Sequence, residues 1–225
     1  MTVIGVVSGL GPDGFLMSHR NYIDAIVAVG GSPIMIPAMV DPDDALKLTE
    51  RIDALLLLSG GDIHPRRYGD TVRATLHGVD EQRDGVELAI AQAAMRRGIK
   101  AFGVCRGAQL LAVAHGGRLA QDLLALGMNK HMVDTIDGEY ASIIHPIEIK
   151  EGTLASSIFP NLTKVNSQHH QCISDTGSLL ATAWSPDGVV EAVEGENCFG
   201  VQWHPELIYT ENSEHLKPFE WLVRK

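Results

Sequence analysis

The stretch "IKAFGVCRGAQLLAVAHGG", residues 99–117, contains the strand, turn and helix that decide the fold. The apolar run "IKAFGV" is typical of a strand buried on both faces, and "RGAQLLAVAHGG" predicts a helix that ends at a glycine pair. Between them, Cys105 stands in a G-x-C-x-G pattern with Gly103 and Gly107. Glycines allow the tight turn that lifts a nucleophile to the carboxyl end of a parallel strand. The stretch therefore predicts a parallel sheet with such a turn at its edge.

Strand-like and helix-like segments alternate through the first half of the chain. Two further short apolar runs, "TVIGVV" (2–7) and "ALLLLS" (54–59), predict buried strands. Predicted helices cover 18–31, a segment opened by Asp41-Pro42, and 80–97 closed by Gly98. This alternation predicts an α/β fold with an open, doubly wound, mostly parallel sheet, flavodoxin-like in arrangement.

The pattern of the sequence changes after about residue 140. Short strand-like runs separated by turn residues follow one another: "IIHPIEI" (143–149), "LLATAWS" (179–185), "VVEAVE" (189–194) and "CFGVQW" (198–203). They predict a C-terminal antiparallel extension of the same sheet. Because no repeat, linker or low-complexity segment interrupts the chain, we expect residues 1–225 to form one domain.

Composition restricts the partners. Of 225 residues, 18 are Lys or Arg and 28 are Asp or Glu, which gives a formal net charge of −10. A chain of this charge offers no electrostatic footprint for nucleic acid or anionic lipid, so we expect neither as a partner. Its three cysteines have unrelated spacings, and it shows no signal peptide or membrane span. We therefore expect a cytoplasmic protein.

The pattern around Cys105 permits two interpretations. At a helix N-terminus, unpaired amides and the positive end of the helix dipole favour a thiolate and a nearby oxyanion, which suits a nucleophile. A buried free cysteine is more commonly a small apolar core residue, as we expect for Cys172 and Cys198. The elbow pattern alone leaves the choice open, so a partner is needed.

The motif "GVQWHPE", residues 200–206, supplies a candidate partner. His204 and Glu206 are two residues apart on extended backbone and should project to the same side. A carboxylate beside an imidazole orients the ring, and leaves its other nitrogen to receive a thiol proton. A loop histidine and a solvated helix cap are the plain alternatives. Together with Cys105, the pair favours a catalytic triad.

The ten histidines do not form a local metal-ligand pattern. None stands in an H-x-x-x-H or cysteine-paired set, and the adjacent His169 and His170 would point in opposite directions on a strand. The sequence therefore predicts no metal site.

Five stretches together carry a family resemblance: "LLLLSGGDIHPRRYG", "GVCRGAQLLAVAHGGRLAQDL", "VNSQHHQCI", "DGVVEAVE" and "GVQWHPE". In this order they resemble the class I glutamine amidotransferase superfamily, and within it the γ-glutamyl-γ-aminobutyrate hydrolase-like branch, peptidase C26. The resemblance covers essentially the whole chain. It implies no cofactor.

The resemblance assigns the triad and the oxyanion hole. Cys105 would be the nucleophile, His204 the general base and then acid, and Glu206 the residue that orients it. The oxyanion donors would be the Arg106 backbone N–H and an N–H of the loop at Gly60 and Gly61. The Arg106 side chain itself is expected to form a structural ion pair with Asp84 or Glu87.

Three further residues match substrate-binding positions of the relatives. Gln109, one helical turn after the cysteine, matches a glutamine that contacts the bound glutamyl group. Ser167 and His169 match the segment that holds the amino-acid end of that group. One departure from the relatives is "SGGDIHP" (59–65), which lacks a residue that they often have between the glycine pair and the aspartate. The resemblance therefore implies a shorter oxyanion loop, whose donor geometry need not match that of the relatives.

The implied activity is cysteine-dependent hydrolysis of γ-glutamyl amides through a thioester, which releases glutamate and an amine such as γ-aminobutyrate. Two alternatives stay open. One is a glutaminase subunit that supplies ammonia to a separate synthase, and the other is a non-catalytic regulatory relative. The apolar helices are also compatible with a homodimer.

Overall fold

The computed structural model describes residues 1–10, 15–38, 41–129, 131–132 and 143–224. Their strands are β1 (Val3–Leu10), β2 (Leu16–Met17), β3 (Ser32–Pro37), β4 (Ala54–Leu57), β5 (Lys100–Val104), β6 (Arg118–Ala120), β7 (Ile143–Pro146), β8 (Glu148–Ile149), β9 (Lys164–Ser167), β10 (Cys172–Asp175), β11 (Leu180–Trp184), β12 (Val190–Gly195) and β13 (Cys198–Val201).

The α-helices of the same residues vary from one to nearly five turns. They are α1 (Arg20–Ala28), α2 (Pro42–Thr49), α3 (Glu81–Arg97), α4 (Arg106–Ala114), α5 (Leu154–Ile158), α6 (Pro205–Ile208) and α7 (Lys217–Val223). None of the helices in the described ranges is both long and apolar enough to cross a bilayer.

The main sheet has a parallel half and an antiparallel half. Strands β3, β1, β4, β5 and β13 lie side by side and parallel. Beyond β13 the sheet continues antiparallel through β12, β10 and β6, with β11 attached to β12 and β8 attached to β11. A separate antiparallel pair joins β7 to β9. The predicted fold class, a mostly parallel α/β sheet with an antiparallel extension, is confirmed.

Local signals fixed the helix ends. Asp41 caps α2 through its side chain, which accepts the N–H of Asp43, and proline occupies the first turn. Gly98 ends α3 with a φ of +64°, a conformation that glycine adopts without strain. Strand β3, "SPIMIP", was not recognised in the sequence because it contains two prolines. Its register pairs it with β1, as expected of an edge strand that tolerates proline.

Two apolar layers sandwich the sheet. Along β4, the side chains of Ala54 and Leu56 belong to one buried cluster, and those of Leu55 and Leu57 to another. This alternation follows from the two-residue period of a strand. The first layer includes residues of α1 and α7, and the second includes residues of α3 and α4. Each fully buried leucine contributes roughly 1.5–3 kcal/mol relative to an exposed one.

The parallel strands end at a common edge. In the register of the sheet, Leu57 of β4 lies beside Gly103 of β5, and Val104 of β5 lies beside Val201 of β13. The segments that follow these strands carry the predicted oxyanion loop, Cys105 and His204. Their carboxyl ends therefore bring the three predicted parts of a site together, where open α/β sheets bind ligands.

Candidate active site

Cys105 occupies a strained turn between β5 and α4. Its φ of +53° and ψ of −108° are unusual for a residue with a side chain, and such strain costs about 1–3 kcal/mol. Its N–H donates to the Val201 carbonyl at 2.8 Å, which ties the turn to the neighbouring strand. A Cβ on Gly103 would lie 2.4 Å from the Gly107 carbonyl oxygen, and one on Gly107 would lie 2.2 Å from the Leu57 carbonyl oxygen. Both glycines of the motif are therefore required sterically.

His204 and Glu206 form a buried pair at the start of α6. The Nδ1 atom of His204 lies 2.8 Å from Oε1 of Glu206, which fixes Nδ1–H as the donor to the carboxylate. Asn166 holds the backbone of His204 on both sides: it accepts the His204 N–H at 3.1 Å and donates to the His204 carbonyl at 3.0 Å. The opposite ring nitrogen, Nε2, is buried without a hydrogen-bond partner among the described residues. It is the atom available for proton transfer.

The surroundings of His204 favour its protonated form. Burial opposes a charged ring, but the negative groups of Glu206 and Cys105 outweigh burial and hold the pKa of His204 well above its ordinary value. An imidazolium next to a cysteine stabilises a thiolate. The arrangement can therefore supply both an ionised nucleophile and an acid.

Two glutamines lie beneath the cysteine. Gln202 donates its side-chain amide to Sγ of Cys105 at 3.5 Å, and Gln109 donates to Oε1 of Gln202 at 3.1 Å. Gln109 also donates to the Gln171 carbonyl at 3.1 Å. The structure thus places Gln109 in a buried network behind the nucleophile, and its contact with substrate stays a prediction.

A cavity of about 530 Å³ opens beside the turn after β4. Its lining includes Gly60, Gly61 and Arg106, the three predicted oxyanion residues. A Cβ on Gly61 would lie 2.1 Å from the Gly78 carbonyl oxygen, so this loop passes too close to its neighbour for any other residue. As the first residue of α4, Arg106 has a backbone N–H without a partner inside the helix. Their joint role as oxyanion donors stays a prediction.

A second cavity of about 110 Å³ lies next to the histidine. It is lined by His19, Ser59, Gln168, His204, Glu206 and Leu207. His19 and Ser59 also line the larger cavity. The His–Glu pair and the oxyanion loop therefore face adjoining spaces.

The Arg106 side chain forms the predicted structural ion pair, and with both acids. Its guanidinium contacts Oδ1 of Asp84 at 2.6 Å and also Oε2 of Glu87. Both carboxylates are fully buried. Arg83 contacts the other oxygen of Glu87 at 2.9 Å and donates to the Ser59 carbonyl at 3.0 Å. This network fixes the loop after β4 against α3 and α4.

The side chains of Ser167 and His169 have partners other than the nucleophile. The Ser167 hydroxyl donates to the His131 carbonyl at 2.8 Å, and the His169 ring faces Glu191. Gln168, between them, lines the smaller cavity. A substrate contact by Ser167 or His169 stays a prediction that rests on the resemblance.

Asn166, Gln202 and Tyr22 belong to the site but were not assigned a role in the sequence analysis. Asn166 and Gln202 lie inside the quoted motifs "VNSQHHQCI" and "GVQWHPE", which was the available signal. The buried hydroxyl of Tyr22 accepts the Ser59 N–H at 3.3 Å. Burial and the neighbouring Glu206 raise its pKa well above the usual range, so it stays protonated.

The fold is that of class I glutamine amidotransferase-like proteins. The structure is similar to the glutaminase domain of CTPS from Trypanosoma brucei, solved with bound acivicin, with a TM-score of 0.67 at 15% identity. The alignment covers 99% of this chain and 94% of that one. This chain belongs to the peptidase C26 family, whose model matches residues 9–206.

Two curated relatives illustrate the family. The gamma-glutamyl-gamma-aminobutyrate hydrolase PuuD of Escherichia coli K12 is 36% identical over 200 residues, which span 84% of this chain and 78% of that protein. Protein NtpR of Enterococcus hirae is 37% identical over 213 residues, which span 92% of this chain and 88% of that protein.

Proposed function

We propose that the protein is a cysteine-dependent hydrolase of γ-glutamyl amides. The observation that carries this proposal is the pairing of Cys105, on its strained elbow, with the buried His204–Glu206 pair at the same edge of the sheet. Similarity to gamma-glutamyl-gamma-aminobutyrate hydrolases supports the substrate class. We further propose that the released amine is γ-aminobutyrate or a related acid of polyamine breakdown.

The first half-reaction forms a thioester. The Cys105 thiolate attacks the γ-carbonyl carbon, and the oxygen that gains the negative charge meets the Arg106 N–H and the loop at Gly60 and Gly61. Loss of one such donor typically costs about 10²- to 10³-fold in rate. His204 then passes its Nε2 proton to the nitrogen as the C–N bond breaks, so the amine leaves uncharged.

The second half-reaction returns the enzyme to its starting state. His204, now neutral, takes a proton from water, and the resulting hydroxide attacks the thioester carbon. The C–S bond breaks, glutamate leaves, and the thiolate and imidazolium reform. Glu206 stabilises the imidazolium throughout, through its contact with Nδ1.

The larger cavity supports a substrate with a second polar group. Its wall carries Asp80, Arg83, His19 and Arg20, whereas glutamine itself would need only the region near the elbow. All three cysteines are free, as in proteins of the cytoplasm, where we propose that the enzyme acts.

The deciding experiment compares glutamate release from γ-glutamyl-γ-aminobutyrate and from glutamine by the purified chain alone. Fast release from the first substrate, abolished in Cys105→Ala, would establish a hydrolase that works without a partner. Slow release from both would favour a glutaminase subunit that needs a synthase. Activity that persists in Cys105→Ala would overturn the mechanism.

A further inference from the structure

Four side chains from separate segments meet in a buried cluster beside the antiparallel half of the sheet. Glu191 lies on β12, His145 lies on β7, His169 follows β9, and His131 lies between β6 and β7. Glu191 is fully buried, and the histidine side chains are 2–13% exposed. We call these residues the His₃Glu cluster.

The cluster converges on one oxygen. Oε1 of Glu191 lies 3.4 Å from Nδ1 of His131, 3.5 Å from Nε2 of His145 and 3.7 Å from Nε2 of His169. Hydrogen bonds between an imidazolium and a carboxylate are shorter, about 2.7–2.9 Å. Both Glu191 oxygens and the Nε2 atoms of His145 and His169 therefore lack hydrogen-bond partners among the described residues. Buried polar atoms without partners are costly, and they require a reason.

The other nitrogen of each ring already has an acceptor. Nδ1 of His145 lies 2.8 Å from the Pro146 carbonyl, and Nδ1 of His169 lies 2.9 Å from the Gln171 carbonyl. A carbonyl accepts only an N–H, so in the neutral ring each Nε2 presents a lone pair to Glu191.

In His131 the two ring nitrogens exchange places: Nε2 faces a partner outside the cluster, and Nδ1 faces Glu191. Its Nε2 lies 3.3 Å from both oxygens of Asp187, and its Nδ1 faces the cluster. The Ser167 hydroxyl donates to the His131 carbonyl at 2.8 Å, and its oxygen lies 3.4 Å from Nδ1 of His131. The lone pairs of His145 and His169 thus point at the Glu191 oxygen that Nδ1 of His131 also faces. Two lone pairs beside a carboxylate oxygen repel one another unless a cation lies between them.

The spacing fits a tetrahedral metal site. Zn²⁺ binds imidazole nitrogen at about 2.0–2.1 Å, so two donors on a tetrahedron lie about 3.3–3.4 Å apart. The distances from Oε1 of Glu191 to the donor nitrogens of His131 and His145, 3.4 and 3.5 Å, are close to that value, and these three donor atoms all lie within 4.8 Å of one another. Nε2 of His169, at 3.7 Å from the same oxygen, lies outside that group. Asp187 and the Pro146 carbonyl would be the outer acceptors that usually orient metal-bound histidines.

We propose that His131, His145 and Glu191, whose donor atoms all lie within 4.8 Å of one another, bind a divalent transition-metal cation, with Zn²⁺ as the ion that best fits the donors and their spacing. Within the described parts of the chain, none of the three lines either cavity of the active site. The metal is therefore structural. It joins β7 to β12. It also holds the His131 carbonyl, which accepts hydrogen bonds from Ser167 and from the His169 N–H on either side of Gln168, a residue that lines the smaller cavity.

The test measures zinc binding by the full chain, purified without a polyhistidine tag and stripped by a chelator. Glu191→Gln and His145→Gln remove a donor with little change in volume, and His115→Gln removes a histidine outside the cluster as a matched control. Loss of an outer partner usually costs 10- to 100-fold in metal affinity, so loss of a donor should cost more than about 100-fold. Co²⁺ added in place of Zn²⁺ should give the intense visible absorption of a four-coordinate site.

The proposal predicts one Zn²⁺ per chain, a higher melting temperature with Zn²⁺ for the wild type and His115→Gln, and neither effect in the two cluster variants. Circular dichroism verifies that each variant is folded. If Glu191→Gln is unfolded, the zinc binding of His145→Gln decides the test, because the side chain of His145 is partly exposed and its replacement should disturb the fold less. Equal zinc binding by wild type and cluster variants, or none by the wild type, would overturn the proposal. Neither result depends on whether the chain hydrolyses γ-glutamyl amides.

Discussion

Replacing Arg106 by methionine separates the two roles that this residue has in the site. Methionine keeps the backbone N–H of the proposed oxyanion hole and most of the side-chain volume, but it removes the guanidinium between two buried carboxylates. After the change, Glu87 keeps Arg83 at 2.9 Å. Asp84 keeps the hydrogen bond from the His64 N–H at 2.9 Å but loses its cation.

The expected loss of stability follows from that geometry. Removing one partner of a buried ion pair costs about 3–5 kcal/mol, because the other charge stays buried without compensation. Because Glu87 remains paired with Arg83, only Asp84 loses its cation, and we expect the loss of stability of one broken buried ion pair. The free energy of unfolding of a domain of this size is about 5–15 kcal/mol, so the variant should still fold but should be only marginally stable.

Urea unfolding at pH 7.5, followed by circular dichroism, measures this loss. Arg224→Met is the matched control, because Arg224 pairs with Glu220 at 3.0 Å on the surface, with side chains 75% and 43% exposed. It should change the unfolding free energy by less than about 1 kcal/mol. If Arg106→Met is as mild as the control, the network does not stabilise the site as argued.

Three further predictions concern the triad and its support. Asn166→Ala removes both hydrogen bonds to the His204 backbone, so it should lower the rate of hydrolysis and reduce the free energy of unfolding by about 1–3 kcal/mol. An unchanged rate would show that His204 does not need these hydrogen bonds. Because the folded-state pKa of His204 is raised, the stability that its protonated ring contributes is complete below about pH 6.5 and is lost as the pH rises through that pKa. In urea unfolding, the free energies of wild type and His204→Gln should therefore become equal at alkaline pH, and a difference that stays constant with pH would contradict this. Burial raises the pKa of Cys172 to about 12 and of Cys198 to about 11, so iodoacetamide at pH 7.5 should react with Cys105 first. Peptide mass spectrometry measures the labelling, and comparable labelling of Cys172 and Cys198 would count against their role as inert core thiols.

Local chemistry is what the sequence by itself determined. The Asp41-Pro42 cap, the Gly98 stop and the glycines around Cys105 each act within one turn of the chain, so each predicts its element without knowledge of the rest. The pair at His204 and Glu206 is likewise two residues apart, and its contact at 2.8 Å agrees with the predicted geometry. Motifs of this kind were sufficient for the fold class and for the candidate nucleophile.

Only the tertiary structure decided which distant side chains meet. Asn166 reaches His204 because β9 ends beside the start of α6, a contact that no spacing encodes. The His₃Glu cluster is not visible in the sequence for the same reason: its histidines follow no local ligand pattern such as H-x-x-x-H, and its four side chains come from separate segments. Side-chain donors are brought together by the packing of strands and loops around a shared core, and that packing depends on the whole chain rather than on any one stretch.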